Sequence, residues 1–238
     1  MRRLLLLVVV LPLAACGGGS KAKSSPASLV DAVTAAAHKT YAAGSESMSL
    51  RASVDASGQT IVLTGNGAFD TKSALGSIRL DVNASPISTT VDEVLVGTGV
   101  YLKSPLLAAG LPGGKTWLKL DLGKLHLAGI DLRSLLAQNP GAELERLQAL
   151  KSATKVGTDQ TGTHYRVTAT TGPISGYDVW VGGDGYIHRV VVAQASPKVS
   201  VTIDLSKFGE KVTAAAPPAA QVYESRNGSI PGLGGLGA

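Results

Sequence analysis

The sequence predicts an α+β fold in which one N-terminal helix precedes a long antiparallel sheet, and a helical insertion divides that sheet into two halves. Three observations support this prediction. Apolar residues recur at helical spacing after residue 28, apolar and polar residues alternate over most of the chain, and leucines at helical spacing flank a central Asn139-Pro140-Gly141 break. Periods of 3.6 and 2 residues distinguish helices from strands. Alternation on successive strands favours an antiparallel sheet with one apolar face.

The first helix is predicted over residues 28–43. Ser28 and Asp31 have the spacing of a capping box, with Asp in place of the usual Glu. Gly44 ends the pattern, as glycine often does at the C-terminus of a helix. The apolar side of this helix carries Leu29, Val33, Ala36, Ala37 and Tyr41.

Strands are predicted over residues 47–122 and again over 165–205, because apolar residues alternate with polar ones in both regions. Glycine-rich turns join the strands, for example Gly97-Thr98-Gly99 and Gly183-Asp184-Gly185. Asn66-Gly67 has the composition of a further turn or bulge. The result is an antiparallel meander with one apolar face.

The central insertion is predicted to contain two short amphipathic helices over about 130–150. Ile130, Leu132, Leu135 and Leu136 come before the Pro-Gly break, and Leu144, Leu147 and Leu150 follow it.

Residues 1–15 have the features of a bacterial lipoprotein signal peptide. Arg2-Arg3 precede an apolar run from Leu4 to Leu11, which is too short to span a bilayer. Leu13-Ala14-Ala15-Cys16 resembles the lipobox, which implies cleavage before Cys16 and diacylation of its sulfur. An ordinary signal peptide with an incidental cysteine is the alternative. Cys16 is the one cysteine of the sequence, and it lies where a lipobox requires it.

Three further segments complete the predicted organisation. Residues 16–27 are rich in Gly and Ser and are expected to form a flexible tether. Its Lys21 and Lys23 either favour an anionic bilayer surface or only aid solubility. Residues 28–214 are expected to fold as a single domain. The Ala-, Pro- and Gly-rich residues 215–238 are expected to be a disordered tail.

Composition and motif context exclude several functions. With 44% apolar and 16% charged residues, the chain is not a disordered polyelectrolyte. The net charge of +5, which falls to about +3 without Arg2 and Arg3, is too small and too dispersed to indicate nucleic-acid binding. The single cysteine and four scattered histidines favour neither a disulfide framework nor a metal site. Asp92 and Glu93 are adjacent on a predicted strand, so they face opposite sides and cannot act as a carboxylate pair. We therefore expect no cofactor, no metal and no enzymatic activity.

The end of the last predicted strand resembles a known family. Residues 204–212 (DLSKFGEKV), followed by Pro217-Pro218, are similar to the closing segment of the LppX/LprAFG envelope lipoproteins. This resemblance implies a LolA-like fold, which is a strongly curved, unclosed antiparallel half-barrel with helices packed against its concave face. It also implies a cavity for acyl chains and a role in carrying or presenting lipids in the actinobacterial envelope.

The residues themselves predict part of the same arrangement. A single sheet must bury its apolar face, and the predicted helices are too few and too rich in alanine to cover some ten strands tightly. The space left between sheet and helices is then an apolar cavity suited to apolar ligands. A fully filled core is the alternative. The predicted lining residues are Leu50, Ile61, Leu63, Ile78, Leu80, Val91, Leu135, Leu136, Leu144, Leu147, Val179 and Val201.

The leading hypothesis is a lipoprotein, anchored through acylated Cys16 on the extracytoplasmic face of the cell membrane, that binds a lipid or glycolipid. An envelope module that contacts protein partners without lipid cargo is the second hypothesis. The chain is expected to be monomeric, to bind no nucleic acid, and to meet an envelope transporter or lipoprotein-processing partners.

Overall fold

The computed structural model describes residues 26–56, 59–121, 147–170, 176–195 and 198–225. In these ranges the chain forms two α-helices, two short 3-10 helices and the twelve strands of one sheet. The helices are α1 (Pro26–Ala43) and α2 (Pro105–Gly110), and the 3-10 helices are Pro112–Gly114 and Ala219–Gln221. The strands are β1 (Ser45–Ala56), β2 (Gln59–Asp70), β3 (Leu75–Ala84), β4 (Ile87–Val96), β5 (Gly99–Lys103), β6 (Trp117–Asp121), β7 (Leu150–Thr158), β8 (Thr163–Ala169), β9 (Gly176–Val181), β10 (Ile187–Ala195), β11 (Lys198–Ser206) and β12 (Val222–Glu224).

The sheet is open and almost entirely antiparallel. Its strand order is β12-β6-β5-β4-β3-β2-β1-β11-β10-β9-β8-β7, so two meanders join where β1 pairs with β11. The short β12 is parallel to β6. Because β7 and β12 lie at opposite edges and do not pair with each other, the curved sheet is an unclosed half-barrel, and the predicted α+β fold class is confirmed.

Helix α1 begins two residues before the predicted start and ends where the sequence indicates. Proline is well tolerated in the first turn of a helix, where its missing N–H has no partner to lose, and Pro26 is the first helical residue. Gly44 has a φ of +81°, and its N–H donates to the Tyr41 carbonyl at 3.1 Å. This left-handed conformation is readily adopted by glycine, so Gly44 can end the helix and lead directly into β1.

The small side chains of α1 allow it to pack close to the sheet. Val33, Ala36 and Ala37 are buried in its main apolar cluster. The Thr40 hydroxyl donates to the Ala36 carbonyl at 2.8 Å and accepts from the Ile187 N–H at 2.9 Å. This second bond fixes the end of α1 to β10. We call the side of the sheet that carries α1 the inner face, and the opposite side the outer face.

Three glycines on the inner face lie beneath larger neighbours. A Cβ on Gly67 would lie 2.4 Å from the Ser77 carbonyl oxygen, and one on Gly65 would lie 2.5 Å from a methyl carbon of Leu80. A Cβ on Gly76 would similarly overlap the Phe69 ring. The prediction of a turn or bulge at Asn66-Gly67 is therefore wrong. Strand β2 runs straight through it, because Gly67 serves close packing between strands.

Most of the predicted central insertion lies outside the described residues, including Leu135, Leu136 and Leu144. At its end, the prediction of a helix is wrong, because 147–149 form a turn and Leu150 begins β7. The short helix α2 was not predicted. Its signal in the sequence is the Ser104-Pro105 pair, since the Ser104 hydroxyl caps the helix by accepting from the Leu107 N–H at 3.1 Å.

The predicted disorder after residue 214 is wrong for the part of the tail that the structure describes. β12 pairs with β6, and the Ser225 N–H donates to the Lys119 carbonyl at 3.1 Å. Tyr223 packs against an apolar cluster, and Glu224 forms an ion pair of 2.9 Å with Lys119. A strand of three residues is too short for its alternation to be recognised, but these contacts offset its ordering cost of about 1–2 kcal/mol per residue. Residues 226–238 lie outside the described residues.

Truncation after Ala214 is therefore expected to lower the melting temperature by about 5 °C or more, since about 1 kcal/mol corresponds to 2–4 °C in a domain of this size. A chain that ends at Ser225 keeps every contact described above and serves as the matched control. Differential scanning calorimetry of the two truncated chains checks the prediction. Equal melting temperatures would show that β12 contributes nothing to stability.

Candidate functional site

The strand register places the predicted lining residues on one face of the sheet. Residues that pair across neighbouring strands point to the same side. Leu50 lies opposite Gly65, Gly65 lies opposite Leu80, and Leu80 lies opposite Val91, so one row crosses β1 to β4.

A second row continues this face into the other half of the sheet. Leu50 also lies opposite Ile203, which pairs with Val190, which pairs with Val179. Val201 joins the same face through Ala52, which lies between it and Leu63. All eight strand positions of the prediction therefore share the inner face: Leu50, Ile61, Leu63, Ile78, Leu80, Val91, Val179 and Val201.

These eight residues differ in how much of their surface is covered. Ile78 and Val179 are fully buried in the cluster that α1 covers, and so is Leu147, which lies just before β7. The other six are only partly buried: Leu50, Ile61, Leu63, Leu80, Val91 and Val201. Whether Leu135, Leu136 and Leu144 cover them stays a prediction, because those residues lie outside the described ranges.

The inner face carries two apolar clusters. The first cluster lies beneath α1 and includes Val33, Met48, Ile78 and Val179. The second cluster lies at the β4–β6 edge and consists of Val100, Leu102, Leu111, Leu118 and Leu120. Leu107 of α2 and Val91 of β4 pack against the second cluster, and Leu95 packs against both.

Glu93 lies on the inner face between these two clusters. Its cross-strand neighbours are Ile78 of the first cluster and Leu102 of the second. The residue is only 9% exposed, and burial raises the pKa of its carboxyl from 4.5 to about 7. Alternation on β4 indicates this position in the sequence, since Asp92 faces outward and pairs with Arg79 at 3.1 Å. Alternation in the sequence places the two carboxylates on opposite faces, as observed, but it does not reveal that Glu93 is buried.

A second buried carboxyl lies at the start of β1. Glu46 is 2% exposed, and its Oε1 has no hydrogen-bond partner. Burial raises its pKa to about 7, with a further contribution from the negative charge of Asp70. Burial thus keeps both of these inner-face acids neutral to a higher pH than an exposed carboxyl would be.

Polar and aromatic groups of β8–β11 form a network on the outer face. His164 Nε2 lies 2.7 Å from Asp178 Oδ1, and the His164 ring stacks on Trp180 with ring centroids 3.9 Å apart. The Trp180 indole N–H donates to Asp159 at 2.7 Å, and Arg189 pairs with Asp204. This network holds neighbouring strands together on the side away from the inner face.

The described part of the chain contains neither a cluster of metal ligands nor a membrane-spanning helix. There, no three His, Cys, Asp or Glu residues converge as metal ligands. Nor does any helix in these ranges have both the length and the apolar character needed to cross a bilayer.

Comparison with protein-family models gives no match for this sequence, and neither does comparison with curated proteins. Among solved structures, Mycobacterium tuberculosis lipoprotein LppX is similar with a TM-score of 0.50 and 15% identity, over 80% of this chain and 100% of that chain. LprF from Mycobacterium bovis is similar with a TM-score of 0.48 and 14% identity, over 82% of this chain and 99% of that chain. A LolA superfamily protein from Nitrosomonas europaea has a TM-score of 0.34 and 9% identity, over 80% of this chain and 96% of that chain. The similarity to LppX and the open curved sheet with α1 on its inner face together show that this chain has the half-barrel fold of LppX.

Proposed function

We propose that this chain is an envelope lipoprotein that binds an acyl-chain-bearing lipid or glycolipid on its inner face and carries or presents it in the cell envelope. Lipidated Cys16 would anchor it to the extracytoplasmic face of the membrane. The proposed role is one of binding and transfer, without a catalytic step.

The observation that carries the proposal is the partial exposure of six apolar side chains on the concave inner face. Leaving apolar surface in water costs roughly 25 cal/mol per Å². A contiguous exposed apolar surface on a folded protein commonly marks a binding site. Because the six residues lie on five neighbouring strands of the curved sheet, they form a concave surface on which long flexible chains can lie.

Two buried acids restrict the chemistry of the ligand. Glu46 and Glu93 are the carboxyls on the inner face whose pKa is raised to about 7. An additional anionic group deep on this face would oppose their ionisation and would itself lose hydration. The part of the ligand that contacts the inner face is therefore expected to be uncharged, as acyl chains are.

To test this, a chain that begins at residue 17 is purified from an actinobacterial host. The amount of bound lipid per chain is then measured in two ways, by extraction with organic solvent and by native mass spectrometry. This chain contains all described residues and lacks the acylated cysteine, so any lipid found is cargo. About one lipid per folded chain supports the proposal. A folded chain without lipid would instead favour a module that contacts protein partners.

The anchor is tested separately with Cys16→Ser. The precursor is expected to remain uncleaved by lipoprotein signal peptidase and to incorporate no palmitate analogue, because the thiol that accepts the diacylglyceryl group is absent. Metabolic labelling and membrane fractionation measure both results, with the unsubstituted chain as the control. Labelled Cys16→Ser protein would contradict anchoring through this residue.

A further inference from the structure

The connection between β5 and β6 carries ten consecutive residues without a polar side chain. It runs from residue 105 to residue 114 and has the sequence PLLAAGLPGG. The helix α2 and the 3-10 helix Pro112–Gly114 lie within it. Connections between strands normally carry polar residues, because they pass through water at the surface. The composition of this connection therefore indicates that part of it meets an apolar medium.

One side of this connection is held against the sheet. The Ser104 hydroxyl caps the first turn of α2. Leu111 is 6% exposed and belongs to the second cluster, and Leu107 packs against the same cluster. The Leu111 N–H also donates to the Ala108 carbonyl at 3.4 Å, which closes the end of the helix. These contacts fix the position of α2, so its opposite side faces outward.

The outward side of the connection is apolar as well. Leu106 is 59% exposed, which is the highest value for a large apolar side chain among the described residues. Pro105, Ala109 and Pro112 are also exposed. A helix at the surface of a soluble protein normally places charged or polar residues on its outward side. Because the outward side of α2 is apolar instead, its contact with water is unfavourable.

The exposed apolar surface continues at the turn between β3 and β4. Leu106 lines one pocket together with Asn83 and Ser88, which lie opposite each other on these strands. Ile87, directly before Ser88, is 54% exposed. Two of the most exposed large apolar side chains therefore lie at the same end of the sheet. We call residues 105–114 together with Ile87 the apolar tip.

Two lysines and a tryptophan lie at the base of the apolar tip. Lys103 and Lys115 flank the apolar connection in the sequence. Trp117 begins β6, and Lys103 Nζ lies 5.6 Å from the centroid of its ring. Lys115 Nζ donates to the Ala220 carbonyl at 2.6 Å, and an ammonium group has further N–H donors for a phosphate. Lysine and tryptophan beside an apolar segment are typical of proteins at the head-group level of a bilayer.

The apolar tip lacks the groups with which a protein partner would be recognised. Its side chains contain no hydrogen-bond donor or acceptor, whereas protein interfaces form about one hydrogen bond per 100–200 Å². A bilayer requires no such bonds, because its acyl region takes up apolar side chains and its anionic surface attracts lysines. Asp92 lies opposite Lys103, but it is paired with Arg79 at 3.1 Å. Lys103 therefore keeps its attraction for anionic lipids.

We propose that the apolar tip inserts into the surface of a bilayer that contains anionic lipids, with Lys103 and Lys115 at the lipid phosphates and Trp117 at the head-group level. The tip is then a membrane contact separate from Cys16. It turns the end of the sheet that carries α2 towards the bilayer. This inference concerns the membrane as a surface, and it does not depend on lipid cargo on the inner face.

A fluorescent label at position 106 tests the insertion directly. The chain that begins at residue 17 has no cysteine, so Leu106→Cys provides one site for a nitrobenzoxadiazole label. With vesicles of phosphatidylcholine and phosphatidylglycerol in equal amounts, the label is expected to become brighter and to emit at shorter wavelength, because it leaves water. Val156→Cys is the matched control, since Val156 is 51% exposed on β7 and lies outside the tip. An unchanged label at position 106, or an equal change at both positions, overturns the inference.

Vesicle co-sedimentation of unlabelled variants measures the contribution of Leu106. Leu106→Asp is expected to lower binding to the same vesicles about tenfold, because full burial of a leucine side chain contributes at least this factor. Val156→Asp makes the same kind of change at another exposed position, and it should bind as the unsubstituted chain does. Both side chains are exposed, so the melting temperatures should not differ. Equal binding of the two variants would mean that Leu106 does not enter the bilayer.

The two lysines are tested by their dependence on lipid charge. Lys103→Gln and Lys115→Gln are each expected to lower binding to the anionic vesicles about fivefold. Neither should alter binding to vesicles of phosphatidylcholine alone. Lys155→Gln, at an exposed position of β7, is the control and should have little effect. The tether lysines Lys21 and Lys23 are present in every variant, so they do not contribute to these differences. A larger loss with Lys155→Gln than with the other two contradicts the proposal.

Leu80→Trp distinguishes docking of the tip from uptake of lipid on the inner face. Leu80 is a partly exposed inner-face residue that packs against the first cluster, away from α2. The variant is expected to bind vesicles as well as the unsubstituted chain. Loss of vesicle binding as large as with Leu106→Asp would show that the inner face holds the vesicles, which overturns the inference. A chain that purifies without lipid but docks through Leu106 would support the inference and contradict the proposed carrier function.

Discussion

Replacement of Glu93 by leucine is expected to stabilise the protein at pH 8 by on the order of 3 kcal/mol and to have little effect at pH 5. Glu93 is buried between Ile78 and Leu102, and its same-face neighbours on β4 are Val91 and Leu95. Among the described residues, its carboxylate has no cation or hydrogen-bond donor to compensate for lost hydration. An isolated buried carboxylate is far less favourable than an apolar side chain of similar volume.

The sign of the pH dependence follows from the raised pKa. In the unfolded chain the Glu93 carboxyl has its ordinary pKa of 4.5, whereas in the folded chain its pKa is about 7. The folded state therefore binds more protons between these values, and stability falls as the pH rises through this window. One pKa unit corresponds to about 1.4 kcal/mol. Ionisation of Glu93 therefore lowers the free energy of unfolding of the wild-type chain by on the order of 3 kcal/mol across this pH window.

Urea denaturation of wild type and Glu93→Leu at pH 5, 6, 7 and 8 measures this difference. Glu46 has the same raised pKa, so Glu93→Leu alone is expected to retain part of the pH dependence. Glu46→Gln combined with Glu93→Leu is expected to remove most of it. As a control, Asp92→Leu removes the exposed outer-face carboxylate next to Glu93, which pairs with Arg79, and it should not give the stabilisation at pH 8 that Glu93→Leu gives. A Glu93→Leu variant that is less stable than wild type at pH 8 contradicts the prediction.

The inner face was predictable from the sequence because alternation on a strand directly gives the face of each side chain. Leu50, Leu80 and Val91 were assigned to one side by alternation, and the register confirms that they lie in one row. The spacing of Leu29, Val33 and Ala37 predicts the helix in the same way. Such periodicities are local, so they do not depend on contacts with distant parts of the chain.

Features that depend on distant contacts were not predictable in this way. Asn66-Gly67 has the composition of a turn, but Gly67 is needed because the Ser77 carbonyl approaches it from β3. The strand at Val222–Glu224 exists because β6 offers a free edge about a hundred residues earlier in the chain.

Val91→Trp is expected to abolish most lipid binding while the protein stays folded. Val91 lies on the inner face opposite Leu80, and both residues are partly exposed. In a filled core, the larger indole would cause overpacking at a cost of about 1–3 kcal/mol or more. On an open concave face, the indole instead occupies the space of an acyl chain.

The two cases give separate readouts for Val91→Trp in a chain that begins at residue 17. A melting temperature within about 3 °C of wild type is expected, since about 1 kcal/mol corresponds to 2–4 °C in a domain of this size. Co-purifying lipid should fall well below half of the wild-type content. Asp92→Trp is the matched control, because it places the same side chain one residue further along β4 on the outer face, and it should retain its lipid. A strongly destabilised Val91→Trp would mean that the core is packed at this position, and a stable variant with unchanged lipid would mean that the acyl chains lie elsewhere. Loss of lipid with retained stability is the result that only an accessible apolar surface at Val91 explains.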